Sequence, residues 1–226
     1  MSRVEFDQQA TMIAGQISSL PEGDRIAAAC RGSGNPAALS WLAEGLRLDD
    51  STIVIDLGAG LGGPTAWLNK HFGCQCINLD VSVGATAANI FGTPTIYGCA
   101  ERAPIRTDSV DVALLLCVLS VVSHADLVLS EAFRIARRLG IFEYCSTTGE
   151  SVQAGGSTFW PASRLGHKVK AAGWDIVQLV AVNVSPPITW TDAAESIDVE
   201  PEATETEVIH AITAGQIAPI MIQAAR

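Results

Sequence analysis

The sequence predicts an α/β fold in which an open, mostly parallel β-sheet carries helices on both faces. Short apolar segments alternate with helical segments at the spacing of strand–helix units, which favours right-handed crossovers between parallel strands. Residues 112–116 (VALLL) are continuously apolar, as expected for a parallel strand that is buried on both faces. Residues 52–57 form another apolar segment that runs directly into glycines. Because ligands of such sheets bind at the carboxyl ends of the strands, those glycines mark the predicted ligand site.

The individual elements follow from apolar patterning and from the residues that start and stop helices. Pro36 starts a helix, Gly173 ends one, and Pro94 precedes a short strand. The predicted helices are 5–19, 22–31, 36–46, 63–72, 82–91, 125–138, 161–172 and a stretch around 191–213. The predicted strands are 52–57, 75–80, 95–97, 112–116, 139–145, 174–182 and 218–224. We expect a single domain over residues 1–226, with a helical cover at 1–46 and a core at 50–226 that includes a helical insert at about 190–214.

Charge and hydropathy limit the classes of function. The net charge is −10, no Lys or Arg occurs between Lys170 and Arg226, and seven acidic residues lie between Asp192 and Glu207. Such a surface repels phosphate backbones, so we expect a small-molecule partner and no nucleic acid. No apolar run is long enough for a secretory signal or for a membrane span, so we expect a cytoplasmic protein.

The cysteines favour no metal site. Six are present, and most of them lie in apolar, strand-like segments. Cys74 and Cys76 form a close pair, but the second pair of Cys or His that would complete a zinc site is missing. We therefore expect reduced, buried thiols.

The glycines after the first predicted strand fit two classes of cofactor. Gly58, Gly60 and Gly63 have the G-x-G-x-x-G spacing of dinucleotide sites. Gly58, Gly60 and Gly62 have the acidic-x-G-x-G-x-G spacing of methyltransferases. Both cofactors must approach the backbone closely, which glycine permits. The glycines alone therefore leave both classes open.

Two aspartates at strand ends favour one of these classes. Asp56 lies two residues before Gly58, where a carboxylate would repel a pyrophosphate. S-adenosylmethionine has no phosphate, and its ammonium and sulfonium groups are cations that Asp56 could favour directly or through water. Asp80 ends the second predicted strand, twenty residues after Gly60, and a carboxylate there can accept the ribose hydroxyls of either cofactor. Asp56 therefore favours S-adenosylmethionine, and Asp80 indicates an adenosine-like cofactor.

At this point the sequence resembles the class I S-adenosylmethionine-dependent methyltransferases, in particular the small-molecule branch that includes the quinone-biosynthesis enzymes. Residues 54–63 (VIDLGAGLGG) are similar to the first motif of that family, and residues 78–82 (NLDVS) to the second. Residues 99–120 (CAERAPIRTDSVDVALLLCVLS) resemble the stretch that leads into the fourth strand. The resemblance implies a Rossmann-like, seven-stranded sheet whose last strand runs antiparallel and forms a hairpin with the sixth.

The resemblance also implies a set of residues that bind the cofactor. Asp80 takes the ribose position, Val81 packs against the adenine, and Cys99 stands where the family often has an Asp that bonds the adenine amine. Backbone atoms around residues 99–101 would then recognise the adenine. The complete predicted set is Asp56, Gly58, Ala59, Gly60, Gly62, Asp80, Val81, Cys99, Ala100, Glu101 and Cys117.

Catalysis and acceptor binding leave weaker signals. Methyl transfer is an in-line displacement, and it needs a general base for a hydroxyl or amide nucleophile but none for an amine or thiolate. His124 follows the fourth strand and is the candidate base. Trp160, Trp190 and Tyr144 are candidate acceptor-binding residues, because aromatic walls suit an apolar or cationic acceptor. Glu143, next to Tyr144, is another candidate for the wall of the cavity.

We therefore predict a methyltransferase that acts on a small molecule, with O- or N-methylation favoured by base rate. One alternative is a non-catalytic module that keeps the fold and binds the cofactor. The other is an NAD-dependent oxidoreductase, against which stand Asp56, the roughly fifty residues before the glycines and the lack of a second domain.

Overall fold

The computed structural model of the protein describes residues 3–30, 36–181 and 203–226. Within those ranges the helices are α1 (Arg3–Ser19), α2 (Glu22–Ala29), α3 (Pro36–Gly45), α4 (Gly63–Phe72), α5 (Val83–Ala88), α6 (Ala125–Ile135), α7 (Ala162–Ala171) and α8 (Ala203–Thr213). The strands are β1 (Ile53–Leu57), β2 (Gln75–Asp80), β3 (Thr95–Tyr97), β4 (Val110–Leu116), β5 (Ala136–Ser146), β6 (Val152–Ala154), β7 (Ser157–Phe159), β8 (Asp175–Ala181) and β9 (Ile217–Ala225).

One seven-stranded sheet organises the fold. Its strand order is β3-β2-β1-β4-β5-β9-β8. Strands β1 to β5 pair in parallel, whereas β9 lies antiparallel to both β5 and β8. The predicted fold class is confirmed, including the antiparallel last strand and its hairpin with β8. The chain order reverses between β1 and β4, which places the expected ligand crevice beside β1.

The two faces of the sheet are buried by different helices. On one face α6 and α7 pack through Val128, Leu129 and Leu165 against side chains that include Leu115 of β4. On the other face α3 and α4 pack against a second set of strand residues, which includes Val54, Val112, Leu114 and Phe142. Because β4 sends side chains into both cores, its sequence must be apolar at nearly every position.

Two predicted helix ends were each three residues too late. The helix predicted at 125–138 ends at Ile135, since Ala136–Ser146 already belongs to β5, where Ala136 pairs with Val110 of β4. The pairing partners come from distant parts of the chain, and their hydrogen bonds override the local helical pattern. The helix predicted at 82–91 ends at Ala88, because Asn89 adopts a left-handed conformation with φ 32°.

The structure also contains a β-hairpin that was not predicted from the sequence. Residues 152–159 form the β6–β7 hairpin, whose turn is Gly155-Gly156, both with positive φ. A Gly-Gly pair between two short β-prone segments was the signal in the sequence. The predicted helical stretch 191–213 is seen as α8 from residue 203, and its earlier part lies outside the described residues. Across the described ranges, no helix has both the length and the hydropathy that a membrane crossing requires.

Candidate cofactor and acceptor site

A cavity of about 480 Å³ opens at the carboxyl ends of the parallel strands. Its floor is made by the loops that follow β1 (residues 58–61), β2 (residues 80–81), β3 (residues 98–101) and β4 (residues 116–118 and 121–122). Four strand ends therefore converge on one site, as the sheet topology requires. Helix α1 lines the cavity through Gln9, Ala10 and Ile13, and α8 contributes Glu205.

The loop after β1 brings backbone close to the cavity. Gly58, Gly60 and Gly62 all have positive φ, at 90°, 53° and 79°. A Cβ at Gly58 would come within 2.6 Å of a methyl group of Val118, so this position must be glycine for steric as well as conformational reasons. The glycine spacing is thus a requirement of the turn and of the close approach of the loop after β4.

Asp80 joins the loops after β1 and β2. Its Oδ2 accepts a hydrogen bond from the Gly60 N–H at 2.7 Å, and its Oδ1 accepts one from the Ser82 N–H at 2.7 Å. Burial raises the pKa of Asp80 although these N–H groups favour its ionised form. Each carboxylate oxygen can accept more than one hydrogen bond, so Asp80 retains acceptor capacity toward the cavity that it lines.

Helix α1 is fastened over this edge of the sheet. The Asp7 Oδ1 accepts a hydrogen bond from the Ser82 hydroxyl at 2.7 Å, at the start of α5. Gly84 lies so close to the Asp7 carbonyl that a side chain there would collide with it. Ile13 and Ile17 of α1 are buried in a small apolar cluster with residues of α2. The N-terminal segment thereby forms one wall of the cavity.

The chain matches a family of known function over part of its length. Residues 55–143 match a methyltransferase domain family, and this region contains the glycine loop, Asp80 and the loop after β4. This match supports an S-adenosylmethionine-dependent methyltransferase. The family match and the solved structures that share the fold support S-adenosylmethionine as the cofactor of this methyltransferase. No curated protein matches the chain.

Solved structures share the fold of this methyltransferase at low sequence identity. The [4+2]-cyclase SpnF is 18% identical, with a TM-score of 0.71 over 84% of this chain and 80% of SpnF. The geranyl diphosphate C-methyltransferase from Streptomyces coelicolor A3(2) is 13% identical, with a TM-score of 0.67 over 84% of this chain and 78% of that one. A putative methyltransferase from Haloferax volcanii, in complex with the Trm112 methyltransferase activator, is 16% identical, with a TM-score of 0.68 over 100% and 97% of the chains.

Asp56 provides a physical test of whether the cofactor fits. Its side chain is fully buried, and its Oδ1 has no hydrogen-bond partner. Burial, and second the nearby charge of Asp80, raise the pKa of Asp56 to about 8. A buried carboxylate without a partner is unfavourable unless a cation lies close by. S-adenosylmethionine carries two cationic groups, so the residues at this site fit the cofactor.

Most of the residues predicted to bind the cofactor line the cavity. These are Gly58, Ala59, Gly60, Asp80, Val81, Cys99, Ala100, Glu101 and Cys117. Two do not line it. Asp56 is buried behind the loop, and Gly62 adopts a left-handed conformation at the N-cap of α4, where it starts the helix. Their contribution to cofactor binding stays a prediction.

The candidate base and the two candidate acceptor residues that the structure describes do not line the cavity. His124 is exposed at the N-cap of α6 and does not line the cavity. Tyr144 packs edge-on against Phe142, with ring centroids 5.9 Å apart, and burial raises its pKa to about 12. Trp160 lies under the ammonium of Lys168, 5.0 Å from the ring centroid. Neither aromatic residue lines the cavity, and Trp190 lies outside the described residues.

Several cavity residues carry no recognisable signal in the sequence. Val118, Val121 and Val122 follow β4 and form an apolar wall, and Glu205 reaches the cavity from α8. Glu143 does not line the cavity, contrary to the prediction, but its buried carboxylate binds the backbone of the loop that does. Glu205 and Glu143 act at this site through folding contacts that no local pattern encodes.

Proposed function

We propose that this methyltransferase transfers the methyl group of S-adenosylmethionine to a neutral or cationic small-molecule acceptor, with an amine as the favoured nucleophile. The observation that carries the proposal is the charge of the cavity wall. Its charged side chains are the carboxylates Asp80, Glu101 and Glu205, and no Lys, Arg or His of the described residues lines it. We further propose that residues 1–226 act as one domain, in which 1–46 cover the core.

The carboxylate lining disfavours anionic acceptors. A phosphate or diphosphate would be desolvated next to like charges, which is unfavourable by several kcal/mol in a partly enclosed site. Glu205 lies in a part of the sequence, residues 171–225, that contains no Lys or Arg. The geranyl diphosphate of the Streptomyces enzyme is therefore a poor model for the acceptor of this chain.

Binding of the cofactor uses residues that the sequence already identified. Asp80 would accept the ribose hydroxyls, and Val81 with Ala100 would pack against the adenine. The loop at residues 58–60 would let the cofactor approach the backbone closely. The bound cofactor supplies an electrophilic methyl group on a sulfonium, while the apolar side chains of Val118, Val121 and Val122 exclude water from the reacting centre.

The choice of an amine follows from the groups available for proton transfer. Hydroxyl and amide acceptors need a base close to the nucleophile, whereas an uncharged amine needs none. Among the described residues that line the cavity there is no imidazole, amine or phenol, and its carboxylates Asp80, Glu101 and Glu205 belong to a class of weaker bases. His124 as a base stays a prediction, and O-methylation becomes the better proposal if its removal reduces turnover.

A substrate panel tests the proposal. The purified protein is incubated with S-adenosylmethionine and matched amines, phenols and phosphorylated alcohols, and methylated products are measured by mass spectrometry. We expect methyl incorporation into amines and none into phosphorylated compounds. Incorporation only into phosphorylated compounds would refute the charge argument. Binding of S-adenosylhomocysteine without methylation of any compound would instead support the non-catalytic module.

Glu205 gives the panel a specific control. Glu205→Gln keeps the size of the side chain and removes its charge, so cationic acceptors should bind about fivefold to tenfold more weakly. Neutral acceptors should be unaffected. Glu44→Gln is the matched control, since Glu44 is exposed on α3 and does not line the cavity. Equal effects on cationic and neutral acceptors would contradict the assignment of Glu205 to acceptor charge.

A further inference from the structure

The loop after β4 forms the cavity wall that faces the glycine loop. We name residues 117–122 the β4 loop. It contributes Cys117, Val118, Val121 and Val122 to the cavity, and Cys117 has a positive φ of 58°. Val118 occupies the space next to Gly58, where even a Cβ would be too close. A small displacement of the β4 loop would therefore change both the cavity and the packing of the glycine loop.

A buried carboxylate from the neighbouring strand holds this loop. Glu143 of β5 is 2% exposed. Its Oε2 accepts hydrogen bonds from the N–H groups of Leu119 at 2.8 Å and Ser120 at 3.2 Å. Its Oε1 accepts one from the Ser120 hydroxyl at 3.0 Å and one from the Tyr144 N–H at 3.1 Å. The two oxygens thus receive four donors, three of which belong to the β4 loop.

Water cannot easily replace these contacts. Leu119 is fully buried and Ser120 is 7% exposed, so their N–H groups would be left unsatisfied if the carboxylate were removed. Other backbone contacts also hold the loop, and within it the Val118 carbonyl accepts hydrogen bonds from the N–H groups of Val121 at 3.1 Å and Val122 at 3.2 Å. The Cys117 N–H donates to the Phe142 carbonyl at 2.8 Å, and the Ser120 carbonyl accepts from the Thr158 N–H at 2.9 Å.

We propose that Glu143 is a positioning residue whose ionised carboxylate fixes the β4 loop against the glycine loop and so sets the cofactor-binding shape of the cavity. The inference rests on the proposed function, because cofactor binding is what it controls. Glu143 does not line the cavity and acts through residues 119 and 120. Protonation would convert one acceptor oxygen into a donor that faces N–H or O–H groups, and it would loosen the loop.

The ionisation of Glu143 falls in an accessible pH range. Burial raises its pKa to about 7, against the opposing effect of its hydrogen bonds. The titratable groups around it are Cys117 in the β4 loop and Tyr144 and Cys145 in β5, and burial raises the pKa of each. These three stay neutral between pH 5.5 and 8. Asp56 also titrates in this neighbourhood, so the comparison must be with a variant that lacks only the Glu143 charge.

The test measures binding of S-adenosylhomocysteine to the full chain by calorimetry at pH 5.5, 7 and 8. For the wild type we expect affinity to fall on acidification. Glu143→Gln should bind about fivefold or more weakly at pH 8, as expected for the loss of charge-assisted hydrogen bonds. Its affinity should also depend less on pH than that of the wild type. Glu150→Gln is the control, because Glu150 is exposed beyond the end of β5.

A local measurement separates positioning from general destabilisation. Hydrogen exchange of the amides of Leu119 and Ser120 should lose protection in Glu143→Gln, while β4 and β5 keep theirs. Ser120→Ala removes only one of the four donors, so it should cause a smaller loss of exchange protection and a smaller loss of affinity. This variant replaces Glu143→Gln in the test if Glu143→Gln does not fold. Unchanged protection and unchanged pH dependence would overturn the proposal. Failure of the wild type to bind S-adenosylhomocysteine would overturn the proposed function with it.

Discussion

Replacement of Asp56 by Asn should make the cofactor-free protein more stable in alkaline solution. The side chain is buried, its Oδ1 has no hydrogen-bond partner, and burial raises its pKa from 3.8 to about 8. A raised pKa means that the native state favours the protonated form. Its stabilising contribution is therefore complete below pH 3.8 and is lost as the pH rises through about 8. Asn keeps the shape of the side chain and removes this loss.

The size of the effect follows from linkage. Each unit of pH between the unfolded and native pKa values changes the free energy of unfolding by about 1.4 kcal/mol. Between pH 5 and pH 9, the stability of Asp56→Asn relative to wild type should therefore increase by up to about 4 kcal/mol. Because Asp80 and Glu143 titrate in both proteins, their contributions largely cancel in the difference.

Urea unfolding monitored by tryptophan fluorescence at pH 5, 7 and 9 measures the difference directly. Asp50→Asn is the control, because Asp50 is exposed, and its stability is measured at the same three pH values. The same preparation of Asp56→Asn should bind S-adenosylhomocysteine about tenfold more weakly, since the carboxylate behind the glycine loop no longer attracts the ammonium of the ligand through the loop. A stability difference that stays constant from pH 5 to pH 9 would refute the reasoning.

The other predictions concern the site and its cover. Asp80→Asn should weaken S-adenosylhomocysteine binding about tenfold or more by calorimetry, and unchanged affinity would remove the ribose assignment. Gly84→Ala should displace α1, because the new Cβ meets the Asp7 carbonyl; we expect lost exchange protection in α1 and weaker binding. Gly15→Ala is the control, because Gly15 lies on α1 with open space around it, and it should preserve both the exchange protection of α1 and the binding. His124→Ala should lower turnover about 100-fold or more if His124 is the base, without affecting cofactor binding.

The sequence predicted the elements whose signals are local. The predicted bounds of β1 and α4 lie within one residue of the observed ones. The glycines between these two elements were also identified. Each of these elements is specified by residues within it. The glycines adopt positive φ, the strand is apolar, and Pro64 lies in the first turn of the helix. Asp80 was found for the same reason, because a carboxylate at a strand end has a fixed place relative to the preceding loop.

Contacts between distant segments decided the rest. The boundary between α6 and β5 was misplaced because Ala136 pairs with Val110, a preference that exists only in the sheet. Glu143 was assigned to the cavity wall, although its partners 23 and 24 residues earlier in the chain hold it behind the β4 loop. Nothing local in the sequence encodes this contact.

The sequence by itself determined the class of fold of this methyltransferase and the edge of the sheet at which we expect the cofactor. The class of fold depends on the order of strands and helices, and the edge depends on the short motif after β1. Only the tertiary structure decided what surrounds that edge. It brought α1 and Glu205 to the cavity and left His124 exposed on the surface. The reason is physical: which side chains share a cavity depends on how helices pack across the ends of the sheet, and residues far apart in the chain meet only after the sheet has formed.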